Sequence, residues 1–194
     1  MFDALLLSTA VIFVAELGDK SQLMAMTFAS RYRARDVILG ITAATAVVHL
    51  ASVGIGFWIG DAFSEYQGWI SIAAGLAFLA FAAWTLRGDE LTEDEAQKAK
   101  NASGRALLAV GLAFFLAELG DKTMLATITL AVDNDWVGVW IGSTVGMVAA
   151  DALAIVVGAV LGKKLPEKAI RYGAAAAFAV FAVILLVEGV HALA

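Results

Sequence analysis

Two short stretches carry more ionisable side chains than their apolar surroundings explain. Glu16-Leu17-Gly18-Asp19-Lys20-Ser21 and Glu118-Leu119-Gly120-Asp121-Lys122-Thr123 each set two carboxylates, an ammonium and a hydroxyl within six residues. Carboxylate, hydroxyl and backbone carbonyl oxygens are the ligands of hard divalent cations such as Mg²⁺, Ca²⁺ and Mn²⁺. Zinc ordinarily recruits His or Cys, and the motif holds neither. Four carboxylates against two lysines leave a surplus of two negative charges, which one divalent cation neutralises. A cation that displaces protons from carboxylates supplies the physics of exchange.

A charged side chain at the centre of a membrane helix costs about 2.5–3.5 kcal/mol on insertion scales. Six such groups therefore imply pairing, a water-filled cavity or a bound ion. On one continuous helix, at about 100° per residue, Glu16, Asp19 and Lys20 share a face, as do Glu118, Asp121 and Lys122. Two such faces opposed would bring four carboxylates together. Gly18 and Gly120 permit a kink or local unwinding that exposes backbone carbonyls. Ser21 and Thr123 add hydroxyls that either ligate or hydrogen-bond a carboxylate. Lys20 and Lys122 either neutralise their neighbours for insertion or act as gates, each taking over its carboxylate when the cation leaves. Met24 and Met124 are read as packing.

The elements that position these residues are long and apolar. The chain has 194 residues, of which 61% are hydrophobic and only 16% charged. Its mean hydropathy is +0.85. Six stretches, at 2–31, 37–60, 68–86, 105–132, 136–162 and 167–191, suit a bilayer core that needs about 20 apolar residues per helix. The expected fold is an all-α membrane protein of six transmembrane helices. The N-terminal stretch lacks a basic flank and a small-residue cleavage pattern, so it is expected to be a retained helix. Cysteine is absent, and a net charge of −5 argues against nucleic acid as a partner. Trp58, Trp69, Trp84 and Trp136 lie near predicted interfaces as belt anchors. The small residues around Gly54, Gly75, Gly146 and Gly173 are expected to allow close helix packing.

Basic residues alternate between connections. Arg31, Arg33 and Arg35 follow the first span; Arg87, Lys98, Lys100 and Arg105 flank or occupy the central loop; Lys163, Lys164, Lys168 and Arg171 surround the fifth connection. The second and fourth connections carry only Asp61, Glu65, Asp133 and Asp135. Positive loops stay cytoplasmic, so both termini are expected on the non-cytoplasmic side. Within the central loop, residues 89–95 are read as a solvated acidic face.

The chain also repeats itself. Residues 13–29 match residues 115–131 at an offset of 102, with ten of 17 positions identical. The expected organisation is a three-helix repeat at 1–87, a charged cytoplasmic loop at 88–104 and a second repeat at 105–194. Three spans is an odd number, so the second repeat enters the membrane inverted, a plan that puts a transporter's site near the midplane at the repeat interface. The same offset relates His49 to Asp151, both near mid-membrane. Intramembrane ionisable residues are functional candidates, here as proton relays, with His49 alternatively a nitrogen ligand. Thr27 and Thr129, and Thr42 and Thr144, match too, but back-bonding to the helix is the commoner role. Gln22 has no polar counterpart. The third and sixth spans are bland and are assigned to a peripheral scaffold.

Two copies of E-x-G-D-[KR]-[ST], one near the start of each half, with six spans and a charged central loop, resemble the family of Golgi calcium/manganese transporters and bacterial manganese exporters, within the wider lysine-exporter-like superfamily. The resemblance covers essentially the whole chain. It implies a secondary transporter, not an enzyme, which removes Mn²⁺ or Ca²⁺ from the cytosol in exchange for protons. It implies Glu16, Asp19, Glu118 and Asp121 as cation ligands and, less directly, roles for Lys20, Lys122, Ser21 and Thr123. The shortness of the chain fits the bacterial branch, hence an inner membrane and manganese, although the motif alone does not separate Mn²⁺ from Ca²⁺. No resident cofactor is implied, and the partners are the cation, protons and the bilayer, with a homo-oligomer left open. The rival readings are a lysine-type amino-acid exporter, for which Lys20 and Lys122 would supply basic groups, and a non-transporting assembly factor.

Overall fold

A computed structural model describes residues 1–87, 105–161 and 167–194. The expectations for the central loop at 88–104, and for Lys163 and Lys164, lie outside the described residues. Among the described residues eight helices follow in order. They are α1 (Phe2–Glu16), α2 (Lys20–Ala29), α3 (Ala34–Ala62), α4 (Gln67–Arg87), α5 (Ala106–Glu118), α6 (Lys122–Asp133), α7 (Trp136–Leu161) and α8 (Glu167–Leu193), with a 3₁₀ turn at Ser64–Tyr66. No strand occurs among the described residues.

Among the described residues four helices are continuous, long and apolar enough to cross a membrane: Ala34–Ala62, Ser64–Arg87, Trp136–Ala159 and Arg171–Leu193. The first and fourth expected spans are not continuous; each is broken in two at its motif. Gly18 and Gly120 have φ of +76° and +79°, and no other described residue has a positive φ. Glycine enters that region without the Cβ penalty that other residues meet. Leu17 and Leu119, just before them, are extended. An α-helix cannot run through such a pair, so it ends at Glu16 or Glu118 and restarts at Lys20 or Lys122. The shared helix face expected for Glu16, Asp19 and Lys20, and for their counterparts, therefore does not exist.

Helix α1 lies along α7, α3 lies along both α5 and α6, and α4 lies along α8; α3 also meets α7. Lipid offers little hydrophobic drive for helix association, so close backbone approach through small residues matters. A Cβ on Gly142 would come within 2.4 Å of the Leu5 carbonyl oxygen, and one on Gly56 within 2.3 Å of that of Ile128. Gly75 and Gly146 are similarly tight, as expected, whereas Gly54 and Gly173 face open space.

Two apolar clusters sandwich a polar layer. One gathers Ile12, Ala15, Phe78, Ala126, Leu130, Met147 and Phe178. The other gathers Met24, Phe28, Val37, Ile41, Val110 and Phe114. Both motifs fall between them in sequence. The outer surface is apolar, with Leu6, Trp58, Trp69 and Val180 more than half exposed. That is the surface of a chain whose solvent is lipid. Of the expected belt residues, Trp136 is exposed and Trp84 half-buried.

Candidate cation site

The two breaks are built alike. Asp19 caps α2 by accepting from the Ser21 backbone N–H at 3.3 Å. Asp121 caps α6 by accepting from the Thr123 N–H at 3.5 Å. A side-chain oxygen at this position satisfies an N–H group that the first helical turn leaves over. The hydroxyl then reaches back across the break. Ser21 Oγ donates to Glu16 Oε1, and Thr123 Oγ1 donates to Glu118 Oε2 at 3.0 Å. On an unbroken helix, residues five apart sit about 140° round the axis from each other and do not meet. The glycine turn makes this contact, and it holds each glutamate in place.

The breaks meet through their charges. Lys122 Nζ donates to Asp19 Oδ1 in a buried ion pair, and Lys20 Nζ lies 3.8 Å from Asp121 Oδ1. Each lysine thus serves the aspartate of the other motif. The two pairs are unequal in exposure: the Lys122 side chain is 4% accessible and that of Lys20 is 20%. Glu16, Asp19, Glu118 and Asp121 are all buried. Glu16 stands within electrostatic reach of Asp19, Glu118, Asp151 and Lys122, and Glu118 within reach of Asp121, Asp19 and Asp151. Glu16 Oε2 and Glu118 Oε1 have no hydrogen-bond partner. The expected convergence of four carboxylates is thus one of neighbourhood. Among the described residues no three acidic or histidine side chains form a ready metal-ligand group, because the aspartates are turned to the lysines.

His49 on α3 and Asp151 on α7 are fully buried, and all their side-chain nitrogens and oxygens lack hydrogen-bond partners. Gln22, whose role the sequence left undetermined, is a structural tie. Its Oε1 accepts from the Gly18 N–H at 2.8 Å, and its Nε2 donates to the Ala150 carbonyl at 2.8 Å. At the other break the Gly120 N–H points at the Met124 sulfur, 3.2 Å away. Met24 packs in the second apolar cluster. Thr27, Thr129, Thr42 and Thr144 all donate to the carbonyl four residues earlier and take no part in the site. Thr45, which sequence reasoning passed over, donates to the Met147 sulfur at 3.4 Å. The 102-residue offset between the two was the available signal.

A family model described as "Divalent cation/proton antiporter GDT1" matches residues 4–93 and 106–193. The "Putative manganese exporter" of Vibrio cholerae is 31% identical over 189 residues, covering 94% of this chain and 90% of its own. A GDT1-like protein of Synechocystis is 30% identical over 200 residues, covering 95% and 97%. Protein PAM71 of Arabidopsis thaliana chloroplasts is 31% identical over 203 residues, covering 92% of this chain and 55% of its own. No solved structure matches the chain at a significant level.

Proposed function

The chain belongs to the GDT1 family of divalent cation/proton antiporters, and from that premise we propose that it carries Mn²⁺, and Ca²⁺ less readily, out of the cytosol at a site made by Glu16, Asp19, Glu118 and Asp121. The observation that carries this reading is the crossed pairing of Lys122 with Asp19 and Lys20 with Asp121. A cation entering between the breaks meets two glutamate oxygens without partners and two aspartates already neutralised. It recruits the aspartates by displacing the lysines. When it leaves, the lysines return, and the two aspartates are not left without a counter-charge. Ser21 and Thr123 hold the glutamates ready, and Gly18 and Gly120 provide the backbone turn that makes both contacts. Protons compete with the cation for the same oxygens, which couples the two fluxes.

The six-span, inverted-repeat reading is supported by exchanged contacts. Asp19 and Lys20 correspond to Asp121 and Lys122 at the 102-residue offset, and each pair is made once in either direction. Gly40 meets Val110 where Gly142 meets Ser8, and Gly56 meets Ile128 where Gly158 meets Met26. Thr45 meets its own counterpart, Met147. A two-fold axis between the halves produces such a pattern. In this reading α1–α2 and α5–α6 are the first and fourth spans, each crossing the membrane as a broken helix. The basic connection at Arg31, Arg33 and Arg35 faces the cytoplasm of a bacterial inner membrane, with both termini on the other side.

The test is Mn²⁺ uptake into proteoliposomes under an imposed pH gradient, with Ca²⁺ as competitor. Uptake that follows the gradient and stops when an ionophore collapses it is the expected result. Uptake indifferent to the gradient would mean a passive channel. No flux of either ion would return the amino-acid exporter or the assembly factor.

A further inference from the structure

The two halves agree at the charged motif positions and differ beside them. Position 22 is glutamine where position 124 is methionine, and position 49 is histidine where position 151 is aspartate. Buried polar groups in native proteins are nearly always hydrogen-bonded. His49 and Asp151 are fully buried with no partner for any side-chain nitrogen or oxygen, so each calls for an explanation.

Their placement supplies one. The Gln22 amide bonded to the Ala150 carbonyl pins α7 against the first break, one residue from Asp151. The Ser21 hydroxyl, which donates to Glu16, also lies within hydrogen-bonding reach of the Asp151 carboxyl. Asp151 is also within electrostatic reach of Glu16, Asp19 and Glu118. On the other side, α3 touches the fourth span at Gly40, beside Val110, and again at Gly56, beside Ile128. His49 lies between those two contacts along α3, as residues 118–122 lie between Val110 and Ile128 along the fourth span.

We propose that Asp151 ligates the cation together with Glu16 and Ser21 beside the first break, and that His49 takes the corresponding place with Glu118 and Thr123 beside the second. The inference rests on the exporter reading and deepens it: the cation passes between two half-sites of unequal chemistry. The first offers only oxygen, from Glu16, Ser21 and Asp151, with backbone carbonyls and water to complete the shell. The second adds an imidazole nitrogen. Oxygen donors suit Ca²⁺, Mg²⁺ and Mn²⁺ alike, whereas imidazole suits transition metals. Mn²⁺ is served by both half-sites, and Ca²⁺ only by the first. His49 is thus the specificity-determining residue, and Asp151 the one that serves either ion.

Equilibrium titration of the purified full chain with Mn²⁺ alone, and with Ca²⁺ alone, tests this apart from transport. Asp151→Asn is expected to weaken both ions by at least about tenfold, the scale on which even outer-shell partners act. His49→Gln is expected to weaken Mn²⁺ and leave Ca²⁺ unchanged, and His49→Asp to raise Ca²⁺ relative to Mn²⁺. Native affinities in Asp151→Asn overturn the inference, as does an equal effect on the two ions in both His49 variants. Should Asp151→Asn lose its helical circular dichroism, Asp151→Glu is read instead; it moves the carboxylate by one methylene and must change affinity for both ions. Proton-driven flux in the unaltered chain separates the two readings. Flux together with native binding in Asp151→Asn sinks this inference alone, whereas no flux sinks the exporter reading beneath it.

Discussion

Helices α4 and α8 pack through Phe78, Phe81, Phe178 and Phe181, with ring centroids as close as 4.8 Å and no charged side chain buried between them. The broken pairs α1–α2 and α5–α6 do the opposite. They bury five of their six motif charges and leave the sixth, Lys20, half-buried. The apolar pair satisfies its backbone within two unbroken helices and asks nothing of its neighbours. The polar layer is held by contacts between its own parts. Asp19 and Asp121 cap restarted helices, Ser21 and Thr123 steady glutamates, and a lysine from each half serves the other. One region holds the molecule together, and the other spends that stability on groups that lipid disfavours.

The contrast can be broken or sharpened by substitution, ranked here by expected effect on transport. Lys122→Gln leaves Asp19 buried without its counter-charge, a loss of about 3–5 kcal/mol, and transport should fall to background. Lys20→Gln touches a longer pair whose lysine is more exposed, so its cost should be smaller. Thermal unfolding in detergent beside Mn²⁺ flux measures both, and equal losses would contradict the unequal burial of the two pairs. Gly120→Ala comes next. A Cβ there meets nothing within 4 Å, so its cost is backbone strain alone, about 1–2 kcal/mol, seen as slower flux with native helix content. Phe178→Ala should destabilise by about 3–5 kcal/mol yet leave the KM for Mn²⁺ unchanged, because its ring packs against Phe78 and Phe81 in the apolar pair. A raised KM would dissolve the division between scaffold and site. Thr129→Val should be silent, within about 0.5 kcal/mol, because its exposed hydroxyl only bonds back to Leu125.

Much of this was legible in the sequence. Hydropathy marked the apolar runs, and the 102-residue offset found both motifs and the pairing of His49 with Asp151. Gly18 and Gly120 announced a kink. What stayed hidden depends on contacts made far along the chain. Helical geometry alone put Glu16, Asp19 and Lys20 on one face, since the extended Leu17 leaves no trace in composition. The partner of Lys122 sits 103 residues away, and no local spacing reveals it. Gln22 stayed without a role in the sequence because its acceptor is the Ala150 carbonyl on another helix. Glycine type alone did not separate Gly146, which meets the Thr9 carbonyl, from Gly54, which meets nothing.

The central claim is that both halves build one transport pathway for the cation. Proton-driven Mn²⁺ uptake in proteoliposomes carrying Glu16→Gln or Glu118→Gln, each made alone, tests it most directly. Each substitution keeps the side chain's shape and removes one carboxylate, and each alone is expected to abolish uptake. Native uptake in either variant would mean that one half suffices, and would contradict the account.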